Sequence, residues 1–215
     1  YAYKDCRIKL YEHKGNFQIK EMIGFAGWNL FGGLAIMGRN QGVAVIINLF
    51  LGTIVNAAYG VANQINGALS HFSATFQKAI NPQLMKSEGM KDRNRLFRIS
   101  YISSKFSVLA LAFFAIPLLI EMEEVLNLWL ENDIPPYTMR LAQCIILLSL
   151  VTQYSTGIMS AIQATGKIRN YQITMGTILL TNVPIAYYIL KLGYPVYYTT
   201  MAFVAMEIMS LCVRL

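Results

Sequence analysis

Arg39 is a residue whose chemistry and setting disagree. It stands in a run, 21–51, that is apolar apart from its end residue Glu21 and Asn29, Asn40, Gln41 and Asn48. As a helix, that run places Arg39 about 27 Å from Glu21 and about 18 Å from Leu51, deep in the segment by either count. An ionised group in such a place is costly, and it faces a water-filled cavity or finds a partner. The guanidinium is planar and can hold two phosphate oxygens at once, while Asn40, Gln41 and Asn48 add neutral hydrogen-bonding groups. Glu207 is the corresponding acid, near the middle of the last apolar run. It can carry a coupling proton or sodium ion, or it can neutralise a neighbouring cation.

A second set of polar groups lies between Asn56 and Pro82. Asn56, Tyr59, Asn63, Asn66, Ser70, Ser73 and Gln77 are separated by alternating steps of three and four, which stacks them on one helical face. Gln64, His71, Thr75 and Lys78 form a row beside them, and Val61, Ile65, Leu69, Phe72, Phe76 and Ile80 form an apolar stripe opposite. Two readings of the polar stripe stay open. Amides and hydroxyls suit a cavity for sugars, or they bond helix to helix while Gly60, Gly67 and Ala68 permit close approach. His71 is either a proton site or a hydrogen-bonded structural residue. Lys78 either meets cargo or snorkels toward the interface near Lys86, about 12 Å away along the helix. Lys105 and Arg140 read as anchors near opposite membrane faces.

The elements that would position these groups follow from composition. The chain is 55% hydrophobic and 13% charged with a mean hydropathy of +0.44, against about 25% charged in ordinary soluble domains. A membrane protein is the expected class. The net charge of +7 sits in short clusters between apolar runs, which is a topology pattern and not a nucleic-acid surface. Cys6, Cys144 and Cys212 show no disulfide or zinc spacing, and no metal or cofactor is expected. The first residue is not Met and the last apolar run is still in progress at Leu215, so the chain is expected to be a piece of a longer protein, truncated at both ends.

The expected organisation is an all-α membrane protein with a cytoplasmic linker, 1–20, and six transmembrane helices at about 21–51, 56–85, 97–120, 137–165, 169–190 and 196–215. The first, about 46 Å long against a hydrocarbon core of about 30 Å, must tilt, bend at its glycines or protrude. Gly52 and Thr53 make an uncharged turn. Residues 86–98 form a basic loop, 121–137 an acidic one without Lys or Arg, and Pro184 interrupts the fifth span. The distribution of Lys and Arg places 1–20, the basic loop, 166–170 and Arg214 in the cytoplasm, and Trp129, Tyr137, Tyr194, Tyr197 and Tyr198 fit an interfacial belt. An enzyme is disfavoured, because the acidic loop offers carboxylates without His, Arg or Lys among them and His13 is remote from His71.

The runs FAGWNLFGG (25–33), NQGVAVIINLFLG (40–52), NAAYGVANQINGALS (56–70), NPQLMKSEG (81–89), AIQATGKIRNYQ (161–172) and KLGYP (191–195) resemble bacterial polysaccharide-biosynthesis membrane proteins. These are the oligosaccharide flippases of the multidrug/oligosaccharidyl-lipid/polysaccharide exporter superfamily. The resemblance implies two six-helix lobes around a central cavity, with this chain corresponding to the C-terminal lobe and the N-terminal lobe as its partner. It implies a flippase of the bacterial inner membrane that turns a polyprenyl-pyrophosphate-linked oligosaccharide between leaflets by alternating access, for surface polysaccharide such as lipopolysaccharide O-antigen. Under it, Arg39 meets the pyrophosphate, or pairs with an acid or carbonyl of the missing lobe, or hydrates a kink at Gly38 and Gly42. Asn40, Gln41, Asn48, Asn63, Asn66, Ser70, Gln77 and Lys78 complete the candidate substrate site, with Glu207 and His71 as ion-coupling candidates. A drug or metabolite-cation antiporter of the same superfamily is the alternative, and it would want more intramembrane acids than Glu207.

Overall fold

The computed structural model describes residues 16–131 and 133–214. Among them run α1 (Asn16–Gly89), α2 (Arg93–Ile120), α3 (Met122–Leu130), α4 (Thr138–Tyr154), α5 (Thr156–Ala164), α6 (Arg169–Lys191) and α7 (Tyr197–Arg214), with no strand. Of the expected linker, residues 1–15 lie outside the described part, and 16–20 already belong to α1.

α1 is not one rod. Gly52 has φ 79° and ψ −179°, a conformation essentially restricted to glycine. A straight helix would hold Ile36 and Ser70 about 51 Å apart, yet both line one cavity. The chain therefore folds back at Gly52 into a first arm, 16–51, and a second arm, 53–89. Val43 and Ile47 of the first arm share a buried core with Val55, Ala58 and Ala62 of the second.

Side-chain contacts fix the direction of every neighbour. Gly32, Gly38 and Gly42 of the first arm face Gln172, Leu180 and Val183 of α6 in rising order, so these helices are parallel. Ser73 and Gln77 of the second arm meet Ser107 and Ser103 of α2 in falling order, so these are antiparallel. Asn66 with Ser149 and Gln77 with Ser160 make the second arm parallel to α4 and α5. The Arg140 guanidinium lies 5.2 Å from the centre of the Tyr197 ring, placing the starts of α4 and α7 side by side. The first arm, α2 and α6 thus run one way, the second arm, α4–α5 and α7 the other.

The first arm keeps helical backbone angles through its glycines, and Gly32, Gly38 and Gly42 make room for α6. A Cβ on Gly42 would lie 3.1 Å from a Val183 methyl, and one on Gly176 of α6 would lie 2.7 Å from the Phe31 ring. Small residues let helix backbones approach closely where dispersion and not water drives association.

Other expectations are corrected locally. α6 runs unbroken through Pro184. The fourth segment is not a single rod but bends by 44° between α4 and α5, at Ser155. The basic loop shrinks to 90–92, because α1 continues to Gly89 and α2 starts at Arg93. Asp92 caps it by accepting from the Arg95 backbone N–H at 3.0 Å, and Glu88 pairs with Arg93 at 3.1 Å. The acidic loop contains α3, whose Met122 and Leu126 are buried.

Among the described residues three helices are long and apolar enough to cross a membrane, or four if the bent pair is one span. Six were expected. α1 counts once although it holds two arms, and α7 is not among the helices counted. Much of the exterior is apolar: Met22, Leu49, Phe113, Ile120 and Leu128 are among many large hydrophobic side chains that stand exposed, a surface compatible with lipid.

Gly52→Ala forces a side chain into the reversal, and its expected cost is about 1–3 kcal/mol. It should lower the unfolding midpoint in detergent, measured by thermal denaturation. Gly33→Ala, where an added Cβ meets nothing, should leave the midpoint unchanged or raise it.

Candidate functional site

The fold-back at Gly52 sets the level of the polar groups. Arg39 is 13 residues before it and Asn66 is 14 after it, so each lies about 20 Å from the turn along its own arm. Between them opens a cavity of about 320 Å³. The first arm contributes Ile36, Arg39 and Asn40, and the second arm Tyr59, Asn63, Asn66 and Ser70. α4 and α5 add Ser149, Thr152, Gln153 and Met159; α7 adds Thr200, Phe203 and Glu207. The α7 residues are spaced three and four apart, which puts them on one face.

The cavity joins a cation and an acid to a neutral polar wall. Arg39 donates through Nε and Nη2 to Asn40 Oδ1 at 3.1 and 3.0 Å, and it lies within electrostatic reach of Glu207 and Tyr59. Glu207 is 6% exposed. The Ser149 hydroxyl donates to Asn66 Oδ1, and Asn63 Nδ2 donates to the Tyr59 carbonyl at 2.8 Å. The Thr200 hydroxyl is buried and without a hydrogen-bond partner among the described residues. Ile145, Leu148 and Phe203 supply an apolar floor. Such a site can take an anionic group at Arg39 with hydroxyl-bearing chemistry beside it, or a cation at Glu207.

Five of the expected substrate residues, Arg39, Asn40, Asn63, Asn66 and Ser70, line this cavity, and so does Glu207. Gln41, Asn48, His71 and Lys78 are exposed and are not part of its lining. Gln77 is elsewhere and buried: it accepts from Ser103 and donates to Ser160 Oγ at 3.2 Å. Ser73 likewise donates to the Ser107 carbonyl at 3.3 Å. The polar stripe therefore both borders a cavity and bonds helix to helix, at different depths. Toward Gly52 it lines a cavity, and toward Lys86 it bonds the second arm to α2 and α5.

The packing end depends on small residues that the sequence reading did not single out. Ser100, Ser103, Ser104 and Ser107 form a buried face of α2. The Gly157 backbone N–H donates to Ser104 Oγ at 3.0 Å, and a Cβ on Gly157 would collide with the Ser100 carbonyl. The wall of α4 was missed as well, although Ser149, Thr152 and Gln153 recur at helical spacing in an apolar run.

No family model, curated protein or solved structure matches this chain.

In a variant whose native cysteines are replaced by serine, Asn63→Cys and Ser70→Cys should react with a membrane-impermeant maleimide. Ser73→Cys and Gln77→Cys should stay protected until the protein is unfolded. Gln77→Leu should cost about 1–3 kcal/mol, because it removes the partner shared by two inward-facing serines; the readout is thermal unfolding in detergent.

Proposed function

We propose that the chain is the C-terminal lobe of a transporter that flips a polyprenyl-pyrophosphate-linked oligosaccharide across the bacterial inner membrane by alternating access. The observation that carries this reading is one cavity in which Arg39 is combined with Asn40, Tyr59, Asn63, Asn66, Ser70, Ser149 and Gln153. A guanidinium is the side chain best suited to a diphosphate, and a wall of neutral amides and hydroxyls suits sugars. Asn40 and Asn63 are exposed, and a first lobe of the same protein would supply the facing wall. The six alternating directions of the arms, α2, α4–α5, α6 and α7 support a six-span lobe, with α7 stabilised by its neighbours in spite of Glu207. The resemblance noted in the sequence adds the surface-polysaccharide context, including lipopolysaccharide O-antigen.

Glu207 favours a second reading, a drug or metabolite-cation antiporter, because it is a buried acid in the same cavity. Under the flippase reading the acid serves Arg39 or carries a coupling ion.

The two separate in reconstituted full-length protein assayed with a fluorescent polyprenyl-pyrophosphate sugar, whose outer-leaflet fraction is bleached by dithionite. Arg39→Ala should slow flipping at least about tenfold, the factor expected for one lost charge-assisted contact, and Arg39→Lys should recover only part of it because the fork is gone. Full activity of Arg39→Ala would overturn the flippase reading. Cation efflux that survives Arg39→Ala but is lost in Glu207→Gln would establish the antiporter instead.

A further inference from the structure

A groove of about 400 Å³ lies on the outside of the bundle between α2 and the bent pair α4–α5. It shares no lining residue with the central cavity. Its origin is local. Gly157 lacks a side chain and draws α5 onto Ser104 of α2, and the slot lies along the 44° break between α4 and α5, with Tyr154 and Ile158 on either side of it. Phe97, Tyr101, Val108 and Leu109 of α2 form one wall, and Tyr154 and Ile158 the other.

The groove is mostly apolar, with Ser100 and Ser104 also in its lining, and carries one charged residue, Lys105. Arg98, Tyr101 and Lys105 are spaced three and four apart, on one face of α2. Lys105 stands about 10 Å along the helix from Arg98, and Arg93, Arg95 and Arg98 crowd the same end of α2. That end is the cytoplasmic one by the distribution of basic residues. The volume falls in the range of small-molecule sites, roughly 300–1,000 Å³. Basic pockets between membrane helices on the cytoplasmic side recognise anionic headgroups, and a lysine can reach toward a phosphate while its stem stays in apolar contact.

We infer that this groove holds one acyl chain of an anionic glycerophospholipid of the cytoplasmic leaflet, with the lipid phosphate on the Lys105 ammonium. The bend at Ser155 shapes the slot, Tyr101 and Tyr154 flank it with amphipathic rings, and the absence of an acid among its lining residues sets the preference for negative charge. The inference rests on the chain being embedded in a bilayer and not on what it carries.

The test is native mass spectrometry of the full-length protein released from nanodiscs of equal phosphatidylglycerol and phosphatidylcholine. Wild type should retain one phosphatidylglycerol in about fivefold preference, the factor one lysine near the surface contributes. Lys105→Gln should abolish that preference, Ile158→Trp should remove the retained lipid with Lys105 intact, and Lys191→Gln should change neither. Thermal unfolding in detergent establishes that each variant is folded. Equal retention of the two lipids by wild type, an unchanged preference in Lys105→Gln, or a shift of the wild type to a lipid-free dimer would overturn the assignment.

Discussion

Gly52 holds a backbone conformation in which a side chain would collide with the chain's own peptide groups, with φ 79° and ψ −179°. Two long helices meet through that residue. Because the reversal is this tight, residues equally far from it along the two arms end up level with each other. Arg39 is thereby set opposite Asn66, and Val43 and Ile47 are set against Val55, Ala58 and Ala62. The remaining helices extend the arrangement, α6 along the first arm and α2 and α4–α5 along the second. Neither the cavity nor the core exists without the fold-back.

The polar residues divide by what lies across from them. Where α2 and α5 come close, serines and Gly157 bring the backbones together and Gln77 spans the contact with two hydrogen bonds. In an apolar surrounding such a group must be satisfied within the protein. Where the helices stand apart, the same kind of residue is left to line space, as Asn63 and Ser70 do. Packing distance decides the role.

That distinction explains which parts were legible in the sequence. The setting of Arg39 was, because a single charge in a long apolar run has few places to go. The face shared by Tyr59, Asn63, Asn66 and Ser70 was legible from periodicity alone. Gln77 occupies that same face yet meets Ser103 and Ser160, since a helical period gives direction about its own axis and says nothing about the neighbour. The neighbour is α5, placed there by the bend at Ser155, for which the sequence offers no proline or glycine at the break itself. The glycines of the first arm were ambiguous for a related reason. Composition shows that the backbone can bend there, whereas only the position of Gln172, Leu180 and Val183 shows that it is approached. Residues 16–20 and 86–89 continue α1 as helix, which their charge did not reveal because charged side chains on a helix end leave its backbone hydrogen bonding intact. The count of six spans rested on treating each apolar run as independent, whereas two runs join at Gly52 in α1 and another is bent at Ser155.

The contacts along the second arm carry a geometric consequence. Asn66 pairs with Ser149, and eleven residues later Gln77 pairs with Ser160, so each chain advances by the same number of residues between the two bonds. One of these paths crosses the 44° bend at Ser155, and the other is an unbroken stretch of helix. The bent path is slightly shorter end to end than the straight one of equal contour, and the side chains of the two pairs span the difference. The second arm is therefore tied to the bent segment on both sides of its break, through Ser149 of α4 and Ser160 of α5.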